Sequence, residues 1–334
     1  SHQQVTHLEE AQESWIKSPL RSVLQSREDF LRRRLEGEDA VLDFPLCVEL
    51  AGMGYTDYVV IATNFDIASI ADAEGGTGIL VSWATLEPGG FEDDQIAAIK
   101  YIQKRLALAA RANFEAQITR TIAETYLGRW AGARVLNGQI RHGDGQTLNA
   151  VIFYCDMRNS TRIAETLGPD RYLGFLNTYF NIMGAPVLNH GGEILDFIGD
   201  AILGVFPINE SGLEEAVSRA IRATDEARHQ LAAIQPATHG DPPLNVGIAL
   251  SVGKVMFGNI GVMNRLTFSV IGQTVHAAAR IETLTKAVGR ETLMTEEVAT
   301  FVRSRCDPVG TFELNGFSEK RPLFALNPSE SEMK

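Results

Sequence analysis

The spacing of hydrophobic residues changes several times along the chain, and each change predicts an element. From 8 to 40 the sequence is charged, and Leu31 and Leu35 are spaced for one helical face, so the stretch reads as helical. Over 44–90 the texture is that of an α+β domain. Tyr58-Val59-Val60-Ile61-Ala62 and Gly78–Trp83 read as strands, Asp66–Gly76 as a surface loop, and Glu87-Pro88-Gly89-Gly90 as a turn. A helix free of breakers is predicted over about 92–127. Its apolar positions Ile96, Ile99, Ile102, Leu106, Phe114, Ile118 and Ile122 recur at steps near 3 and 4, and Glu92, Asp93 and Asp94 suit the dipole of its first turn. That face fits either packing on its own domain or a parallel coiled coil between two copies. Gly128–Gly145 reads as a linker.

From Leu148 onward strands and helices alternate more tightly. Asn149–Tyr154 reads as a buried strand and 159–189 as helical with a break at Gly168-Pro169. Glu193–Ile198 and Ala201–Phe206 form a hairpin turning at Gly199-Asp200. A helix over 211–233 is followed by strands at Leu244–Leu250, Lys254–Gly258 and Arg265–Ile271, then a helix over 273–288. The pattern predicts an α+β fold with a sheet layered by helices, and no internal repeat.

Composition narrows the function. The 334 residues suit about two domains, and 45% hydrophobic with 22% charged residues excludes a largely disordered chain. A net charge of −12 argues against a general nucleic-acid binder, which needs a basic footprint. It permits a nucleotide in a metal-lined pocket, where the cation reverses the local sign. No apolar run reaches the roughly 18 residues that suggest a membrane span, so no membrane partner is expected. Cys47, Cys155 and Cys306 are far apart and fit neither a disulfide framework nor a zinc pattern, which suits a cytoplasmic protein. The chain starts at Ser1 rather than methionine, and a longer natural N-terminus is expected.

Two aspartates stand where chemistry is expected. Asp156 ends an apolar strand, and Asp200 sits at the hairpin tip. Carboxylates so placed can converge on Mg²⁺ or Mn²⁺, with water and phosphate completing the shell. Either one alone would more often be a turn former. A helix begins near Asn159-Ser160-Thr161, offering free N–H groups and hydroxyls to a phosphate. A third element, Phe268–Glu282, passes from a strand through Gly272 into a helix of small residues on which His276 and Arg280 share a face.

Residues 149–326 resemble the catalytic domain of the class III nucleotide cyclases, the adenylate and guanylate cyclases. The resemblance rests on Phe153–Thr161, Gly191–Ala201, Gly258-Asn259-Ile260-Gly261 and Ser269–Glu282, in that order. It implies a ferredoxin-like sheet flanked by helices. Residues 1–90 would form an N-terminal helix and a partial GAF-like regulatory domain, 91–147 a long signalling helix and linker, and 148–334 the catalytic domain. By the same resemblance, Asp156 and Asp200, with the Met157 carbonyl, would bind two Mg²⁺ or Mn²⁺ ions per active site. Arg280 would stabilise the transition state. The substrate would be a nucleoside triphosphate, ATP or GTP, cyclised at sites shared across a homodimer, with Arg280 supplied by the second copy.

Several positions depart from the family pattern. Asp196 replaces the lysine that reads adenine, with Ser269 at the partner position. His276 stands for the ribose-orienting asparagine, and Asn315 for the lysine that holds the terminal phosphates. An ionised carboxylate only accepts hydrogen bonds, so Asp196 suits the N–H edge of guanine. Three readings follow: an active adenylate or guanylate cyclase, a catalytically weak dimeric nucleotide-binding module, or a sensor acting through residues 1–145. Smaller signals have plainer readings. Cys155 reads as a buried, inert thiol, Trp83 and Trp130 as packing residues, and Gly191, Gly192 and Gly199 as turn formers. Arg32-Arg33-Arg34 reads as a solvated helix face, and His190 as a helix end.

Overall fold

The computed structural model describes residues 13–26, 28–65, 78–141, 143–234, 242–262 and 265–328. The predicted loop at 66–76 lies outside them. Internal contacts divide the chain into two units, 1–119 and 120–334. The division falls inside a helix, whereas the sequence pattern places boundaries at 90 and 147.

The first unit contains α1 (Glu13–Ile16), α2 (Pro19–Ser26), β1 (Phe30–Arg34), α3 (Pro45–Gly52), β2 (Asp57–Asn64), β3 (Gly78–Thr85) and the first part of α4 (Asp93–Leu127). The strands form an antiparallel sheet in the order β1-β2-β3. Alternation along β2 gives each face its own core. Tyr58 and Val60 pack with Val23, Leu31, Leu35 and Cys47, while Val59 and Ile61 pack with Ile96 and Ile99 of α4.

This corrects the helical reading of 8–40, because Phe30–Arg34 is a strand. Leu31 and Leu35 are both buried, and a spacing of four satisfies a period of 2 as well as one near 3.6. The arginine run is likewise no solvated helix face. Arg32 binds Asp57 Oδ2 through Nε at 3.0 Å and Nη2 at 2.7 Å, and Arg33 Nη2 binds Asp43 at 2.8 Å. The Glu87–Gly90 turn closes with a hydrogen bond from the Gly90 N–H to the Glu87 carbonyl at 2.9 Å.

The second unit begins within α4 and continues through α5 (Arg129–Leu136), β4 (Gly145–Met157), α6 (Ser160–Leu167), α7 (Pro169–Asn189), β5 (Glu193–Ile198) and β6 (Ala201–Pro207). Then come α8 (Gly212–Ile234), β7 (Val246–Val262), β8 (Arg265–Ile271), α9 (Gln273–Val288), β9 (Thr292–Thr295), α10 (Glu296–Ala299), β10 (Cys306–Phe312) and β11 (Arg321–Leu326). The sheet runs β10-β11-β9-β7-β4-β6-β5, with β8 also on β7. The segment expected to be a linker contains α5. Gly132 is the reason this short helix docks: a Cβ there would meet the Ala123 backbone at 2.9 Å, so only glycine allows the approach. The two strands predicted at 244–250 and 254–258 are one strand, since Gly253 pairs with Ala150 and the ladder to β4 continues without a break.

One face of the sheet packs Phe153, Cys155 and Phe206 against Tyr179 and Met183 of α7 and Ala220 and Ala223 of α8. On the other face, Ile152 and Phe257 pack with Ala131 of α5 and Ala278 of α9, and Trp130 meets Phe257 edge-on at 4.9 Å. Among the described residues, no helix is long and apolar enough to cross a membrane.

Candidate functional site

β4 and the β5–β6 hairpin lie on neighbouring positions in the sheet, and this brings the two aspartates together. Asp156 follows Cys155, whose partner on β6 is Ile202. Asp200 closes the two-residue turn between Ile198 and Ala201, helped by Gly199 at φ 66°. Asp200 lies close enough for its charge to act on the Asp156 carboxyl group. Burial first, and then the Asp200 charge, push Asp156 up to about 6. Asp156 Oδ1 is buried and has no hydrogen-bond partner.

Tyr154 and Tyr172 record the same crowding of negative charge. Both are pushed up chiefly by burial and further by the two aspartates. An orphaned carboxylate oxygen facing a second acid is an unfavourable arrangement that a divalent cation relieves, because oxygen is the donor hard cations take. The donor set therefore fits Mg²⁺ or Mn²⁺. Among the described residues, no group of three or more His, Cys, Asp and Glu side chains is placed to hold a metal. Any further donors would be backbone, water or substrate.

The other candidate residues lie on several different elements of the second unit. Met157 is the last residue of β4 and is buried. Asn159 has φ 62°, a left-handed turn that starts α6, so the chain reverses directly after the aspartate strand and puts Ser160 and Thr161 in the first helical turn. Asp196 is on β5 at a register shift between Ile194 and Asp196. Ser269 is on β8 opposite Gly258, and β8 contacts β5. His276 and Arg280 are exposed on α9, and neither side chain makes a hydrogen bond or ion pair among the described residues. Asn315 is exposed in the loop between β10 and β11.

Residues 145–327, more than half of the chain, match the family described as the adenylate and guanylate cyclase catalytic domain. The chain belongs to this family. An adenylate cyclase of Anabaena cylindrica is 35% identical over 162 residues, covering 48% of this chain and 32% of that protein. Adenylate cyclase 2 of Rhizobium meliloti strain 1021 is 28% identical over 205 residues, covering 60% of this chain and 55% of its own length. This chain therefore spans about a third to a half of these curated relatives. A bacterial light-regulated adenylyl cyclase shares the fold at TM-score 0.55 and 21% identity, covering 66% of this chain and 64% of that one.

The smaller readings also have structural outcomes in this cyclase-family chain. Cys155 is fully buried and pushed well up by burial, which makes it a poor nucleophile. His190 ends α7 and its Nε2 lies 2.8 Å from Glu226 Oε2. Two polar residues beside the aspartates escaped the sequence reading, Arg158 and Glu282. Arg158 Nη2 donates to the Thr285 hydroxyl at 3.2 Å and to the Arg290 carbonyl at 3.0 Å. Glu282 is buried on the inner face of α9. Its signal was available: it is an acid within the helical stripe Ala277, Ala278, Ile281 and Thr285.

Proposed function

We propose that this chain is a nucleotidyl cyclase, converting a nucleoside triphosphate to the 3′,5′-cyclic monophosphate and pyrophosphate. The observation that carries the proposal is the Asp156–Asp200 pair, two acids at one point with a buried oxygen left unpartnered. Asp156, Asp200 and the Met157 carbonyl would hold two divalent cations per site. Such cations neutralise triphosphate charge and lower the pKa of the ribose 3′-hydroxyl.

The chain's own residues would do the rest. The first N–H groups of α6, at Ser160 and Thr161, point their dipoles at a phosphate. Asp196 and Ser269 would read the base, and His276 would donate to the ribose. Asn315 would face the terminal phosphates as a neutral donor. Arg280, exposed and with no side-chain partner among the described residues, would stabilise charge on the phosphate of a second copy. A homodimer with shared sites is thus part of the proposal, and α4 is the helix we assign to parallel pairing. Tyr101, Ile102, Leu106, Leu108, Ile122 and Tyr126 remain exposed on it. We place the working enzyme in the cytoplasm, where its substrates occur and its thiols stay reduced.

The names of the curated relatives support ATP as substrate. Asp196 supports a second reading, GTP, because an acceptor-only carboxylate matches the N1–H and N2–H₂ donors of guanine. Cyclisation assays with ATP, GTP, CTP and UTP in Mn²⁺ and Mg²⁺, run beside Asp156→Ala, test the proposal. Product from one purine nucleotide, lost in the variant, is expected. Silence with all four substrates would instead favour a nucleotide-binding module without turnover. Wild-type turnover by Asp156→Ala would overturn the metal assignment.

A further inference from the structure

α9 carries polar residues on two sides with opposite fates. His276 and Arg280 are exposed, whereas Glu282 is only 9% exposed. Ionised carboxylates are almost never buried without compensation, so its surroundings need an account.

Glu282 lies over Gly247 of β7. A Cβ at that position would come 2.1 Å from Glu282 Oε1 and 2.5 Å from Thr285 Oγ1, so the glycine is what leaves room for the carboxylate. Gly247 stands directly opposite Asp156 in the antiparallel ladder between β4 and β7. Directly opposed residues share a sheet face and have Cα atoms about 5 Å apart. The Glu282 carboxylate therefore lies on the Asp156 side of the sheet, one strand away. Burial and then the Asp156 charge lift Glu282 to about 7, the Asp200 charge adds to the lift, and Arg158 opposes it. Arg158 is itself tied to Thr285 and Arg290.

We propose that Glu282 is a positioning residue for the cation site, a third carboxylate behind Asp156 that strengthens the hold on divalent cations without ligating them. The inference rests on the reading of Asp156 and Asp200 as the cation-binding pair. Glu282 acts through the field and not through a bond, since no group of three acidic side chains among the described residues is placed to hold a metal. A negative charge several ångströms from a divalent ion in a partly desolvated site contributes measurably to its affinity. Replacing the carboxylate by an amide removes that one negative charge and leaves the field of the nearby Arg158 cation unopposed by it.

The test measures Mn²⁺ binding to the nucleotide-free full chain at pH 8 by the loss of the free-Mn²⁺ spin-resonance signal. Wild type is compared with Glu282→Gln, Glu282→Asp and Asp156→Asn, with melting temperatures taken in chelator. Glu282→Gln is expected to weaken Mn²⁺ binding about 10-fold without lowering the metal-free melting temperature, and Glu282→Asp to stay within about threefold of wild type. Wild-type Mn²⁺ affinity in Glu282→Gln, with affinity lost in Asp156→Asn, would overturn this inference alone. Equal losses in the Gln and Asp variants, with lowered melting temperatures, would overturn it in favour of a packing role. Undiminished affinity in Asp156→Asn would overturn the cation-pair reading itself.

Discussion

Asp156 stands beside Asp200 at the strand-end and hairpin junction, and the Asp200 charge adds to burial in raising the cost of ionising Asp156. The free chain therefore holds an arrangement that opposes its own stability. The folded-state value of about 6 for Asp156 lies above the roughly 4 of an unfolded aspartate. A raised carboxyl favours the protonated folded chain, so its contribution is present at acid pH and is lost as pH rises through about 6. Asp156→Asn should abolish cyclisation while raising metal-free stability at pH 7.5 by about 1–2 kcal/mol, after allowing for partial solvent screening. Chemical denaturation at pH 4 and 7.5 checks this: the variant's advantage should be small at pH 4, grow between about 4 and 6, and be complete at 7.5, and adding Mn²⁺ should erase it.

Asp196 controls the base in this account. Asp196→Lys exchanges an acceptor for a donor and should move the GTP-to-ATP ratio of kcat/KM toward ATP by about 10-fold or more. The wild-type ratio surviving the substitution would remove Asp196 from base recognition.

In the first unit, Asp57 is fully buried and accepts hydrogen bonds from Arg32 and from the Phe91 N–H at 3.0 Å. Asp57→Ala strands the Arg32 guanidinium and the Phe91 amide, and should cost about 3–5 kcal/mol of that unit's stability. Hydrogen exchange resolves the effect locally: protection should fall in β1 and β2 and persist in β4 and β6.

The sequence made some of these features legible and hid others for definite reasons. The α4 helix was visible because its period runs unbroken from Ile96 to Ile122. The hairpin was visible because Gly199-Asp200 interrupts two apolar runs. β1 was hidden because Leu31 and Leu35 satisfy helical and extended periods equally. α5 was hidden because its glycines imitate a linker, and only the close approach of Gly132 to the Ala123 backbone explains its presence inside a helix. Asp156 and Asp200 stood out because each ends an apolar strand. Arg158 and Glu282 did not, because their meaning depends on the register that sets Gly247 opposite Asp156.

The central claim is a site completed by two chains, with the aspartates from one and Arg280 from the other. Mixing two separately inactive variants, Asp156→Ala and Arg280→Ala, tests it most directly. In a random mixture half of the dimers are mixed, and each mixed dimer restores one of two sites, so activity should recover to about a quarter of wild type. A mixture that exchanges subunits yet stays as inactive as its components would contradict the account.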